Sequence, residues 1–312
     1  MKRIGNLYEK IISLDNLRLA DEKARRGKLR SYGVLLHDKN REANILALHE
    51  TLKNRTFKNS EYSTFTIYEP KERIIFRLPY YPDRILHHAI MNILEPIWVS
   101  VFTKDTYSCI KGRGIHGAMR NVKRAIKDRE NARYCLKIDI RKFYPSIDHD
   151  VLKAIIRRKI KCKDTLALLD TIIDSTDGVP IGNYLSQYFA NLMLAYFDHW
   201  IKEEKRVRYY FRYADDMVFL ASTKEELHIL LADIKKYLAA LKLTLKGNEQ
   251  IFPIAENRAD KHGRGLDFVG FVFYHNQTLM RKSIKQNFCR MAARLNKKLN
   301  ISARDYKQRL CS

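Results

Sequence analysis

The chain has 312 residues, enough for two or three subdomains around a sizeable core. With 46% hydrophobic and 11% aromatic residues, 12 glycines and 7 prolines, its composition excludes collagen-like, low-complexity and largely disordered chains. Lys and Arg number 59 against 35 acids, a formal net charge of +24 that points to a polyanionic partner, nucleic acid first. The five cysteines (Cys109, Cys135, Cys162, Cys289, Cys311) are widely spaced, with no CxxC or Cys/His cluster to cage a metal, which fits a reducing compartment. The opening MKRIGNLYEKIISLDN lacks the apolar run of a secretory signal, and no stretch approaches a membrane span, so the expectation is a cytoplasmic protein with no membrane partner.

In chain order, Ile45, Leu48 and Leu52 recur at helical spacing between His37 and Arg55; EYSTFTIYE and ERIIFRL then alternate as a strand hairpin. PDRILHHAIMNIL is a helix opened by Pro82, with Ile85, Leu86, Ala89, Ile90 and Ile93 on one face, and its His87 and His88 are expected to be packed rather than metal-bound. After the glycine-punctuated loop KGRGIHG, ARYCLKIDI is a short apolar strand, and IDHDVLKAIIRRKI is a helix N-capped by Asp148. YLSQYFANLMLAYFDHWI is predicted as one long buried helix, and VRYYFRYADDMVFLAS as two strands folded about Ala214, Asp215 and Asp216. Thr223 and Glu226 form a capping box before a helix whose Leu227, Leu231, Ile234, Leu238 and Leu241 share a face. GLDFVGFVFYHNQTLM reads as a strand pair turning near Asn276, and Arg281–Ser312 as a basic amphipathic helix with ten Lys/Arg against one acid. Strands and helices without strict alternation predict an α+β architecture.

Asp215 and Asp216 are adjacent acids at a hairpin tip between apolar, aromatic strands, a costly place for two like charges unless a cation neutralises them. Asp-Asp is also an ordinary solvated turn. Asp139, in the apolar strand LKIDI, tips the balance, because an unpaired acid there is unfavourable. If the strands are neighbours, the three carboxylates converge. Such a hard, oxygen-rich cluster suits two Mg²⁺ ions, or Mn²⁺, in phosphoryl transfer, and not zinc.

With YADD at Tyr213 to Asp216, the apolar strand carrying Asp139 and the loop-helix GVPIGNYLSQ, the chain resembles the palm signature of reverse transcriptases. The resemblance runs from about Pro70 to Met280: PKERIIF and PDRILHHAI are similar to fingers motifs, YSCIKGRGIHGAM to the following loop, KIDIRKFYPSI to the first palm strand, LKLTLK to a later palm strand and GLDFVGFVF to the primer grip. It implies a right-hand polymerase fold: residues 1–135 as N-terminal segment and fingers, 136–150 as the palm strand with the first catalytic aspartate, 151–180 as fingers and palm helices, 181–280 as the palm with the hairpin and primer grip, and 281–312 as a short thumb. Where the family usually has Gln-Gly-x-x-x-Ser-Pro, this chain has Ile181, Gly182, Ser186 and Gln187, a form that resembles reverse transcriptases of diversity-generating retroelements. That implies copying a template RNA into cDNA with errors at adenines, in a bacterial or phage-infected cell, with a small basic accessory protein. Retron-type or defence-associated reverse transcriptases are the alternative within the family, and an inert RNA-binding scaffold the alternative outside it.

By the resemblance, Asp139 and Asp215 bind both metals, Asp216 supports the site, and Ile140 lies among the metal and dNTP contacts. Tyr144 takes the place of the aromatic gate against a ribose 2′-hydroxyl; otherwise it is an ordinary packed tyrosine. Lys71 and Arg73 fall where fingers cations grip the triphosphate, or on a solvated strand face. Ile181, with Gly182 and Gln187 in its loop, replaces a glutamine beside the nascent base pair; an aliphatic side chain cannot make the amide's hydrogen bonds, which suggests looser checking, against plain core packing. Many relatives carry a lysine shortly after LKLTLK as a general acid; here Glu249 stands there, and neither Lys242 nor Lys246 is assigned the role. The C-terminal helix, with Ile284, Phe288, Met291 and Leu295 at helical spacing, reads either as a thumb gripping template and primer or as a solvated cover on the core.

Overall fold

The computed structural model describes residues 3–68 and 72–296. Its centre is a four-stranded antiparallel sheet made of β3 (Tyr134–Asp139), β4 (Tyr209–Tyr213), β5 (Asp216–Ala221) and β6 (Gln250–Pro253), in the order β4-β5-β3-β6. A separate hairpin, β1 (Ser63–Ile67) with β2 (Arg73–Arg77), stands in the N-terminal half, and β7 (Leu266–Phe268), β8 (Phe271–Phe273) and β9 (Thr278–Met280) form a third, three-stranded sheet.

The runs Cys135–Leu136 and Met217–Leu220 are continuously apolar because the central sheet is covered on both faces. Leu136, Ile138, Tyr210, Met217 and Phe219 join the larger core with the Leu14–Ala24, Ile85–Val99 and Lys224–Ala240 helices. Cys135, Phe211, Val218, Leu220 and Phe252 face a second core, built with Ala118, Val122 and Ala125 of the Ile115–Ala125 helix and with Leu266, Phe268 and Phe273 of the small sheet. The period of two sends alternate side chains of β3 and β5 into different cores, which fixes their register.

Local signals explain several boundaries. Asp148 accepts the Val151 N–H at 3.0 Å as N-cap of the His149–Arg157 helix. Thr223 accepts the Glu226 N–H, while the Glu226 carboxylate accepts the Ser222 hydroxyl, so half of the predicted capping box forms. On that helix Leu230 is buried and Leu231 and Leu241 are half-buried, a small rotation from the predicted face.

Three expectations are corrected. The long helix is broken into Ser186–Met193, Ala195–His199 and the π-helical turn Trp200–Glu204, the first break falling at Leu194, where φ widens to −103° and ψ to 0°. LKLTLK is not a strand: after the helix, Lys242 turns with φ 58°, Leu243 enters the core, and only Leu245 bridges Ile140 before Gly247 turns the chain into β6. GLDFVGFVFYHNQTLM gives three strands instead of two, because Val269 and Gly270 both take positive φ, 45° and 87°, the requirement of a tight hairpin turn. The basic helix is described over Lys282–Asn296, with Leu295 buried and Ile284 and Phe288 exposed; the remainder of that expectation lies outside the described residues.

Candidate active site

Antiparallel pairing puts Asp139, the last residue of β3, directly opposite Asp216, the first of β5, and Asp216 in turn opposite Tyr213. Ala214 and Asp215 are the two central residues of the β4–β5 turn. Ala214 has φ 54°, an angle that disfavours any residue with a Cβ, so the turn holds local strain. This turn carries the Asp215 carboxyl over the end of β3, within hydrogen-bonding reach of the Asp139 carboxyl. Burial, and then the Asp139 charge facing it, push the Asp215 carboxyl well above the ordinary range.

Asp216 has different neighbours from the other two acids. Lys137 lies two residues before Asp139 on the same face of β3, and its Nζ stands 3.5 Å from Asp216 Oδ2. Burial raises the Asp216 carboxyl to about 6 despite that cation, and its Oδ1 is buried without a hydrogen-bond partner. Lys137 also donates to the Asp267 carbonyl at 2.5 Å, and Arg281 Nε to the Asp267 carboxylate at 2.9 Å, so the acid is linked to the three-stranded sheet and the last helix. Among the described residues no group of three or more His, Cys, Asp or Glu side chains is arranged to hold a metal ion. Asp139 and Asp215 thus form a facing pair, with Asp216 drawn toward Lys137. Two close, half-buried carboxyl groups beside an orphaned carboxylate oxygen fit a hard divalent cation that completes its shell with backbone, water or phosphate oxygens.

Lys246, left unassigned by the sequence, is beside this pair: its Nζ is 3.3 Å from Asp139 Oδ2, and its N–H donates to the Asp139 carbonyl at 3.0 Å. Lys242 pairs with Asp148 at 2.7 Å, and Glu249 with Lys235 at 3.4 Å, both elsewhere. The flanking bonds of the Ile140–Leu245 bridge come from Arg141 and Lys246, so the N–H and C=O of Ile140 point away from that segment, to the β5 side.

Tyr144 sits in the short Phe143–Ser146 helix after Lys142, whose φ of 46° turns the chain sharply out of β3. It is half-buried, and burial, with Cys109 and Asp215 nearby, pushes its hydroxyl up to about 12. Arg73 is exposed at the start of β2 and near enough to Tyr144 to act on it electrostatically; Lys71 lies outside the described residues. The Ile181 carbonyl accepts the Phe76 N–H at 2.8 Å, strapping its loop to β2. Gly182, with φ 124°, lies so close that a Cβ would overlap the Phe76 carbonyl oxygen. Gln187 is exposed on a cleft with Cys109, Lys111 and Tyr184. The structure thus gathers Asp139, Asp215 and Asp216 at one end of the sheet with Tyr144 near Asp215, and fastens Ile181 and Gly182 to the β1–β2 hairpin that carries Arg73. Sequence reading missed Lys137, whose signal was a lone lysine two residues before an aspartate in an apolar strand.

Residues 68–248 match the family described as reverse transcriptase (RNA-dependent DNA polymerase), more than half of the chain and the whole span from β2 to the segment after the Lys224–Ala240 helix. The chain belongs to the reverse transcriptase family. It is 24% identical over 266 residues to the protein YkfC of Escherichia coli, covering 70% of this chain and 67% of that protein. It is 27% identical over 139 residues to the group II intron-encoded protein LtrA of Lactococcus lactis, covering 41% of this chain and 23% of LtrA. Among solved structures, apo telomerase from Candida tropicalis truncated from its C-terminal domain aligns with a TM-score of 0.54 at 13% identity, over 76% of this chain and 59% of the telomerase chain. That likeness shows the fold, a right-hand polymerase of α+β class. This chain spans less than two thirds of LtrA and of the telomerase. No helix among the described residues is long and apolar enough to cross a membrane.

Proposed function

We propose that the protein is an RNA-directed DNA polymerase that copies a template RNA into cDNA, with fingers, palm and thumb divided as the sequence resemblance implies. The observation that carries this reading is the Asp139–Asp215 pair at the end of the central sheet, in a chain of +24 net charge. In the proposed reaction a primer 3′-hydroxyl attacks the α-phosphate of a dNTP and pyrophosphate leaves. Asp139, Asp215 and the Ile140 carbonyl would hold Mg²⁺, or Mn²⁺, in two sites with Asp216 in support; the ions would activate the attacking oxygen and stabilise the leaving one. Tyr144 bars the ribose 2′-hydroxyl, Arg73 and Lys71 meet the triphosphate, and Gly182 and Gln187 line the nucleotide pocket. Purified protein given Mg²⁺, dNTPs and primed RNA should extend the primer, and Asp215→Asn should abolish extension while RNA binding persists. Full activity in that variant refutes the assignment.

The finer reading is a diversity-generating enzyme, error-prone at template adenines, working in the cytoplasm with the RNA/cDNA duplex and a small basic accessory protein. It rests on Ile181, held by its carbonyl to Phe76 in the loop beside the nascent base pair. Ile181→Gln should lower misincorporation opposite adenine; an unchanged error frequency removes this reading. The match to LtrA favours a second possibility, a retron-type or intron-like enzyme, which sequencing of co-purified RNA would distinguish.

A further inference from the structure

Arg212 of β4 and Asp198 of the Ala195–His199 helix are both fully buried, at 0% relative exposure. The guanidinium grips the carboxylate as a fork, Nε to Oδ1 at 2.8 Å and Nη2 to Oδ2 at 2.5 Å. Asp198 also accepts from the Tyr210 hydroxyl at 2.6 Å and from the Thr106 hydroxyl at 2.9 Å. The third arm of the guanidinium, Nη1, donates to Asn191 Oδ1 at 3.1 Å and to the Ala214 carbonyl at 3.0 Å. The Arg212 backbone is fixed as well: its N–H donates to the Asp105 carbonyl at 2.9 Å, and its carbonyl accepts the Tyr107 N–H at 3.0 Å. Asn191 closes the network by donating to the Ser108 carbonyl at 2.8 Å.

A buried ion pair is weak grounds for stability, since a well-packed apolar pair of similar volume often does as well or better. What an apolar pair lacks is the bond to Ala214. That carbonyl belongs to the peptide immediately before Asp215, in a turn whose left-handed Ala214 is intrinsically unfavourable. An unfavourable turn persists only when its surroundings over-determine it. We propose that Arg212 is a positioning residue: anchored by Asp198, it holds the Ala214 peptide so that the Asp215 carboxyl stays facing Asp139.

The activity arm of the test rests on the polymerase reading; the metal-binding arm does not. Arg212→Met with Asp198→Asn removes the clamp and leaves no unpaired buried charge, and Arg212→Lys keeps a cation for Asp198 without the fork that reaches Ala214. Thermal melts establish folding, Mn²⁺ titration followed by electron paramagnetic resonance reads the acid pair, and single-nucleotide incorporation on primed RNA gives kcat and KM. In a folded variant, half-saturation by Mn²⁺ should rise at least about tenfold and kcat should fall about 10- to 100-fold, the scale of an ångström's misplacement, with affinity for primed RNA unchanged. A folded double variant with wild-type Mn²⁺ half-saturation and kcat overturns the proposal, leaving Arg212 a packing residue. If only Arg212→Lys folds, the same readouts on it decide; loss of folding in both overturns a separable positioning role. Wild-type protein that binds Mn²⁺ but adds no nucleotide would refute the polymerase reading while the Mn²⁺ comparison still judges the clamp.

Discussion

Two acids brought together by the β4–β5 turn, Asp139 and Asp215, store a destabilising repulsion that a bound cation would relieve. Asp215→Asn keeps the shape and removes one charge from the half-buried pair, so in EDTA the variant should be more stable than wild type by about 1 kcal/mol. Urea unfolding at pH 8 measures it, and a lower midpoint would contradict the repulsion. His87 and His88 provide a second test at this scale. Burial, then the charges of His88 and Arg84, depress His87 to about 3, and burial with Arg84 and the lysines 28 and 23 depresses His88 to about 4. Both values lie below the unfolded value near 6.5, so between about pH 3 and 6.5 the unfolded chain binds more protons than the folded one. Their contribution is present above pH 6.5 and is lost as the pH falls, by about 1 to 2 kcal/mol per histidine at pH 5. Urea midpoints at pH 7.5 and 5 should show this fall, reduced in His87→Leu; a flat profile would remove the argument.

At the scale of elements, the loop of Ile181 and Gly182 and the hairpin β1–β2 behave as one unit because a backbone bond and a glycine contact join them. Gly182→Ala places a methyl against the Phe76 carbonyl oxygen at a φ of 124°, which L side chains rarely adopt. The expected cost is about 2 to 4 kcal/mol, or detachment of the strap with faster hydrogen exchange at the Phe76 amide. Unchanged stability together with unchanged exchange there would show that the strap does not hold. The broken 186–204 segment belongs to the same scale. Its interruption at Leu194 sets Asn191 and Asp198 on separate helices that both reach Arg212, a meeting that a run of apolar residues with helical spacing does not announce.

Across the whole molecule, the proposed RNA affinity should come mainly from phosphate contacts, because 59 basic residues stand against 35 acids. The logarithm of the binding constant should fall linearly with the logarithm of salt concentration, losing about 10³-fold or more between 50 and 200 mM if six or more phosphates are engaged. Filter binding across that range tests it, and salt-independent affinity would argue against a backbone-tracking groove. Family membership, over residues 68–248, and the right-hand fold are properties of this scale also.

What the sequence determined by itself was local and periodic. Alternation marked β1 and β2, apolar and aromatic runs marked β3, β4 and β5, the caps Asp148 and Thr223 marked helix starts, and two acids between apolar strands marked the turn, because each depends on neighbours within a few residues. Where LKLTLK ends, how many strands follow Gly265 and which acids meet depended on pairing partners far along the chain. Only the tertiary structure set Lys246 against Asp139, drew Asp216 to Lys137 and buried Arg212 on Asp198 behind the Ala214 peptide. Charges removed from water must find partners wherever the fold brings them, and that choice is not written in spacing.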